Sequence, residues 1–199
     1  TQNALAVLGE QDLANQLLQH AWAGDLSAAR RVLERRPEAA RINLATAIVC
    51  GELEEVGRRL AAEPALARQK TGPHAWEPLL YLCYAHLPVP AFAEHSLEMA
   101  RLLLDAGADP KAEFNDGWDN SFTCLTGVIG QGEGVRPTHP KAVELADLLI
   151  AAGADPFDSQ ALYNTSIVAD DVTWNDYLWR QCEAHGGTGR WTRLPNPTI

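Results

Sequence analysis

Two short stretches hold most of the side chains with chemical capacity. "TGPHAWEPLLYLCYAH" (Thr71 to His86) gathers His74, Trp76, Glu77, Tyr81, Tyr84 and His86, and "EFNDGWDNSF" (Glu113 to Phe122) adds Phe114, Asp116, Trp118, Asp119, Asn120 and Phe122. A histidine near aspartates can move protons, so His74, Asp116 and Asp119 are the catalytic candidates if the chain is an enzyme. Aromatic rings beside acids are equally the make-up of a binding hot spot. The plainer expectation is that Trp76 and Tyr81 fill core and that His74 bonds backbone across a loop turn.

Other constellations carry less. "GQGEG" (Gly130 to Gly134) has the glycines of a phosphate loop, but it lacks the Gly-Lys-Ser/Thr ending and follows a helical stretch. Cys50, Cys83, Cys124 and Cys182 lie far apart with no C-x-x-C pair, so buried free thiols are expected rather than a zinc cluster. Neither H-E-x-x-H nor G-x-S-x-G occurs. Asn164-Thr165-Ser166 spells a glycosylation sequon, but on a helical stretch it reads as accidental. No cofactor and no metal are expected.

The charge balance narrows the partners. Net charge is −10, and the densest basic cluster, "ARRVLERRP" (Ala29 to Pro37), is broken by Glu34 and reads as a solvated helix face. Phosphate-coating proteins need a basic patch, so nucleic acid and anionic membrane are not expected. With 46% hydrophobic and 21% charged residues the chain has the balance of a folded domain. Apolar runs such as "EPLLYLCYA" are too short to span a bilayer, and no signal segment is seen, so a cytoplasmic location is expected.

These residues must be positioned by repeated helices. "LLLDAGADP" (Leu102 to Pro110) returns as "LLIAAGADP" (Leu148 to Pro156), 46 positions on. "AWAGDLSAARRVLERRPEAA" (from Ala21) returns loosely as "IVCGELEEVGRRLAAEPALA" (from Ile48), a shift of 27 that sets Gly24 on Gly51, Leu33 on Leu60 and Pro37 on Pro64. Each unit reads as helix, Gly stop, acidic restart at Asp25 or Glu52, second helix, Pro stop. Met99, Leu102 and Leu103 form one apolar stripe at helical spacing, and Leu145, Leu148 and Leu149 form its counterpart. A helix pair this short cannot bury its own apolar face and must stack on a copy of itself. An all-α stack of about ten helices in five pairs, with no sheet beyond short hairpin-like turns, is predicted. Leu103 and Leu149 are predicted to be equivalent and buried.

The closing phrases "LLLDAGADP" and "LLIAAGADP" resemble those of the ankyrin repeats. The family's helix-opening phrase T-P-L-H-x-A-A is met loosely by Glu77-Pro78-Leu79-Leu80, by Thr123-Cys124-Leu125-Thr126 and by Gln160-Ala161-Leu162-Tyr163. The resemblance covers roughly Asp12 to Cys182 and implies a divergent ankyrin-like solenoid over residues 1–184. Residues 185–199, "HGGTGRWTRLPNPTI", read as a Gly/Pro-rich loop tail or a truncated next repeat. Units three and four each run 28 residues from Leu79 to Gly107 and from Leu125 to Gly153, against roughly 19 in an ordinary repeat. Each therefore carries an insertion, "HLPVPAFAEH" (His86 to His95) or "GQGEGVRPTH" (Gly130 to His139), and these are the obvious lid material.

The resemblance implies a concave groove lined by His74, Trp76 and Tyr84 in unit three and by Asp119, Asn120, Phe122 and Gln131 in unit four, with Trp22 holding in unit one the place of Tyr84. It implies a protein-binding module for an unidentified partner with a basic, apolar-anchored segment, since the fold itself carries no chemistry. The alternative is a small-molecule binder or enzyme using the His/Asp/Trp set in the same groove. Shape separates the two: a partner needs an open groove, and a catalyst needs a closed pocket where His and Asp meet. His74 beside Asp119 would hold its proton longer than usual.

Overall fold

The computed structural model describes residues 9–85, 87, 89–115, 117, 120–132, 134, 136–167 and 172–193. Among these, ten α-helices follow one another in five pairs. They are α1 (Glu10–Ala23) with α2 (Leu26–Arg35), α3 (Leu44–Val49) with α4 (Leu53–Ala62), α5 (Pro78–Tyr84) with α6 (Pro90–Asp105), α7 (Cys124–Ile129) with α8 (Ala142–Ala151), and α9 (Ser159–Ser166) with α10 (Thr173–Ala184). The first helices pack in one row, α1 on α3 on α5 on α7 on α9, and α4, α6 and α8 pack in a second. The predicted pairing is therefore observed, and the described sheet is one hairpin, β1 (Glu113–Asn115) with β2 (Ser121–Thr123).

The repeated phrase acts through its carbonyls. At the end of α6, Gly107 N–H bonds Leu104 O and Ala108 N–H bonds Leu103 O. At the end of α8, Gly153 N–H bonds Ile150 O and Ala154 N–H bonds Leu149 O. Both glycines take φ values, 94° and 116°, that an L side chain resists. This crossed pair of bonds satisfies carbonyls that a helix end leaves open. Leu103 and Leu149 carry it at equivalent positions and are both fully buried, as predicted. The acidic restarts differ: Asp25 caps the Ala28 N–H of α2, whereas Glu52 turns away from α4 and pairs with Arg41.

The first insertion is not a lid. Pro90 pre-sets the helical φ at the first turn, so most of "HLPVPAFAEH" is spent lengthening α6. That added turn lies so close to Gly51 that a Cβ there would come within 2.4 Å of the Phe92 nitrogen. His95 Nδ1 meets Gly51 O at 2.8 Å, which ties the turn to the second unit.

The second insertion does cross the stack. Its hairpin-like bridge, Gln131 with Arg136, is entered through three consecutive residues of positive φ, Gly130, Gln131 and Gly132. It is anchored by Thr138 Oγ1–H on Ile129 O and His139 N–H on Val128 O, both at 2.9 Å. Asn164, buried in α9, donates Nδ2–H to Gly130 O at 3.2 Å. The sequon's asparagine is thus buried with its amide nitrogen engaged. The chain after residue 184 is not simply loop. A 3-10 turn, Thr188–Arg193, sets Trp191 against Trp179 and Phe157, and Arg190 lies over the Phe157 ring.

Candidate functional site

The loop before α5 sets the first wall. Thr71 and Trp76 exchange backbone bonds of 3.0 and 3.2 Å, closing a tight hairpin-like turn. A Cβ at Gly72 would sit 2.3 Å from the Tyr81 hydroxyl and 2.7 Å from Leu18 Cδ1, so only glycine lets the turn lie flat on α1 and α5. Tyr81 Oη–H fixes it by donating to Thr71 O at 2.8 Å, and burial pushes that phenol up to about 12. His74 rides at the tip, stacked on Trp76 with ring centroids 4.5 Å apart.

The β1–β2 hairpin sets the second wall. Phe114 and Phe122 are cross-strand partners, so both rings face the same side and stack at 5.2 Å. Phe114 then stacks on Trp76 at 4.3 Å and meets the edge of Tyr84 at 5.2 Å. Tyr84 lies on the Gly127 face of α7 and donates Oη–H to Thr123 O at 2.7 Å. Aromatic pairs of this kind contribute about 0.5–1.5 kcal/mol each beyond the area they bury.

The third wall comes from two residues far apart in the sequence. Trp22, in the last turn of α1, lies 5.3 Å from the His74 ring. Arg136, from the second insertion, sets its guanidinium 4.1 Å above the Trp22 ring and donates to Trp22 O at 3.4 Å. Trp22, Tyr84, Phe114, Phe122, Gly127, Arg136 and Asn164 enclose most of a cavity of about 240 Å³. A larger, more open cleft of about 590 Å³ adjoins it, lined by Asn120, Gln131, Gln160 and Tyr163 and sharing Phe122, Arg136 and Asn164.

The candidate residues thus fall in three groups. Trp22, His74, Trp76, Tyr84 and Phe122 are joined in one ring network, and Asn120 and Gln131 line the cleft beside it. Trp76 and Tyr84 are 5% and 4% exposed, so they are core that backs the cavity and not exposed groove residues. Tyr81 is core as well. Asp116 and Asp119 lie outside the described residues.

The electrostatics also differ from expectation. His74 was expected to hold its proton longer. Instead burial, and then the charge of Arg136, hold its imidazole below the usual histidine range. The charged group of the described cavity is a cation, not an acid. Sequence reasoning named neither Arg136 nor Asp158 as functional. Asp158 caps α9 at the Ala161 N–H (2.8 Å) and accepts from the Thr123 and Thr126 hydroxyls, which locks units four and five together. A Thr-x-x-Thr one repeat before an Asp at a helix start was the available signal.

Other site chemistries find little support. All four cysteines are buried and free. Burial pushes Cys50 up to about 12 and Cys124 well above the thiol range. Among the described residues no group of three or more His, Cys, Asp or Glu could hold a metal ion, and no helix is long and apolar enough to cross a membrane.

No family model matches the chain. A stretch of 72 residues is 38% identical to ankyrin repeat and SOCS box protein 6 of Homo sapiens, and the Pongo abelii protein of that name matches equally. The match covers 34% of this chain and 17% of each of those proteins. Similarity to an ankyrin-repeat protein is therefore present over about a third of the chain.

Proposed function

We propose that the chain is an ankyrin-like solenoid that binds an extended segment of a protein partner across its first-helix row and hairpin tips. One observation carries this reading: the aromatic cavity opens beside a polar cleft, and the two share Phe122, Arg136 and Asn164. A trough with an apolar hole at one end suits a peptide that plants one anchor side chain. Tyr163, 48% exposed at the cleft, is the kind of rigid aromatic that such contacts use. On this reading residues 1–184 are the stack and 185–199 follow it. Its four unpaired thiols suit the cytoplasm, and it needs no cofactor.

The test is peptide display against the whole chain, followed by affinity measurements on Phe122→Ala and Tyr163→Ala. Each change should weaken selected peptides about tenfold or more; Tyr163→Ala should leave thermal stability nearly unchanged, and Phe122→Ala should cost about 0.5–1.5 kcal/mol through its lost stack on Phe114. Peptides that bind both variants as they bind the parent would place the interface elsewhere and refute the reading. A second reading, a small-molecule site or enzyme, is favoured by the insertion crossing the stack, which leaves the cavity small and largely enclosed. On that reading His74, which lines a neighbouring cleft with Lys70, Glu77 and Phe114, would be the acid–base group, with Asp116 and Asp119 as its candidate partners.

A further inference from the structure

Arg136 is where the cavity departs from an ordinary aromatic core. Its guanidinium is half-buried, and its hydrogen bond to Trp22 O is long at 3.4 Å. Other arginines that leave the open surface find acids, as Arg59 does with Glu55 at 2.7 Å. Among the described residues, no carboxylate lies within ion-pair distance of Arg136. Asp158, behind Thr126, is already committed to two hydroxyls and a backbone N–H. Withdrawing a charge from water without a counter-charge costs several kcal/mol, and burial accordingly pulls the Arg136 pKa down. Trp22 adds an orphan: its buried Nε1–H meets no acceptor among the described residues.

The rest of the wall is apolar and flat, set by Tyr84, Phe114 and Phe122. A second cation is disfavoured, because Arg136 already covers the Trp22 ring face. A bare inorganic anion would leave the other rings facing nothing. The volume, about 240 Å³, is below the roughly 300–1,000 Å³ of drug-sized pockets, so it holds one compact group.

We infer that the cavity takes the C-terminal residue of the partner segment: an aromatic side chain with the segment's free terminal carboxylate beside it. The side chain lies on the ring faces, and the carboxylate lies in the fork of Arg136, which sits over Trp22. The inference deepens the partner reading by naming the anchor's chemistry, and it rests on that reading for the anchor's source. The chain's net charge of −10 does not oppose it at contact, since exposed charges more than about 8 Å away are screened at physiological salt. Arginine suits the task because its planar fork pairs with a carboxylate through two parallel bonds.

The unaltered chain is titrated with 3-phenylpropionate and with its neutral isostere 3-phenylpropionamide, following the indole N–H resonance of Trp22. The acid should bind about tenfold tighter or better, as a hydrogen bond between charged groups warrants. Added salt should shrink the difference. Arg136→Gln should level the two ligands, and Arg136→Lys should recover only part of the preference. Equal affinity of acid and amide in the parent chain overturns the proposal. So does a Trp22 resonance that neither ligand moves, or a preference that survives Arg136→Gln. The acid–amide comparison in the parent chain does not depend on any variant folding. If displayed peptides bind the cleft but carry no acid at the anchor, this proposal falls and the partner reading stands. If the acid binds and no peptide is selected, the partner reading falls and the pocket chemistry stands.

Discussion

Gly127→Ala is a change that usually helps a helix. Gly127 lies within α7, and replacing a helical glycine by alanine there should gain about 1 kcal/mol. The added methyl would instead meet Tyr84, at 2.5, 2.7 and 2.9 Å from three of its ring carbons. Contacts that short force one side to move. Tyr84 has little freedom, since it is 4% exposed, abuts Phe114 and Trp76, and spends its hydroxyl on Thr123 O at 2.7 Å. Overpacking a filled core costs about 1–3 kcal/mol. Losing the Tyr84 hydrogen bond costs about 0.5–1.5 kcal/mol more. The helix gain is thus outweighed, and a net loss of about 0.5–3.5 kcal/mol is expected, which for a chain of this size is a fall of about 1–14 °C in Tm. Calorimetry of the parent, Gly127→Ala, Tyr84→Leu and the double variant measures it. The penalty of Gly127→Ala should shrink or reverse in the Tyr84→Leu background, because the clash has lost its partner. A Tm raised by Gly127→Ala in the parent, or full additivity in the double variant, would refute the packing of Tyr84 on α7.

Three further outcomes are expected. Leu103→Ala and Leu149→Ala should each cost about 2–5 kcal/mol by urea unfolding, and unchanged midpoints would show that the stripe does not face the core. Asp158→Ala strands two hydroxyls and the Ala161 N–H, and should cost about 2–4 kcal/mol, with Asp158→Asn recovering part because it keeps an acceptor. Because His74 is held below its ordinary value of 6.5 in the fold, the unfolded chain takes up the proton first as pH falls through 6.5. Stability is then lost until the folded group also titrates. The parent should therefore lose more stability than His74→Gln between pH 7.5 and pH 5.5, and equal losses would show that His74 is not withdrawn from water.

How much of this was legible follows from the range of the interactions. The helix pairs and the buried Leu103 and Leu149 came from stop signals and spacing within one unit, where Gly and Pro act on their own backbone. The first insertion was misjudged because Pro90 reads as a breaker in the middle of a stretch and as a helix start only once α6 is seen to begin there. The crowding of aromatics marked out these two loops, but type alone could not say which rings face a cavity. Phe122 lines it because of hairpin register, whereas Trp76 is sealed behind the Phe114 ring. Arg136 was out of reach altogether: its contact with Trp22 spans 114 positions, and nothing local in "GVRPTH" announces it.

That contact has a consequence for how the chain holds together. Linear repeat arrays touch only their neighbours, so an end unit can fray while the others stay folded. Here the bridge from Arg136 to Trp22 joins the fourth unit to the first, and α1 also reaches α5. Melting of α1 then costs the middle of the array its third wall, and loss of the 130–139 bridge loosens the N-terminal helix. The array should melt as one cooperative block from unit one to unit four, more like a globular domain than a row of tiles. Such closure of distant segments is slow to find, because loop entropy must be spent before the contact forms. Native-state hydrogen exchange would see α1 and α7 open together rather than in sequence.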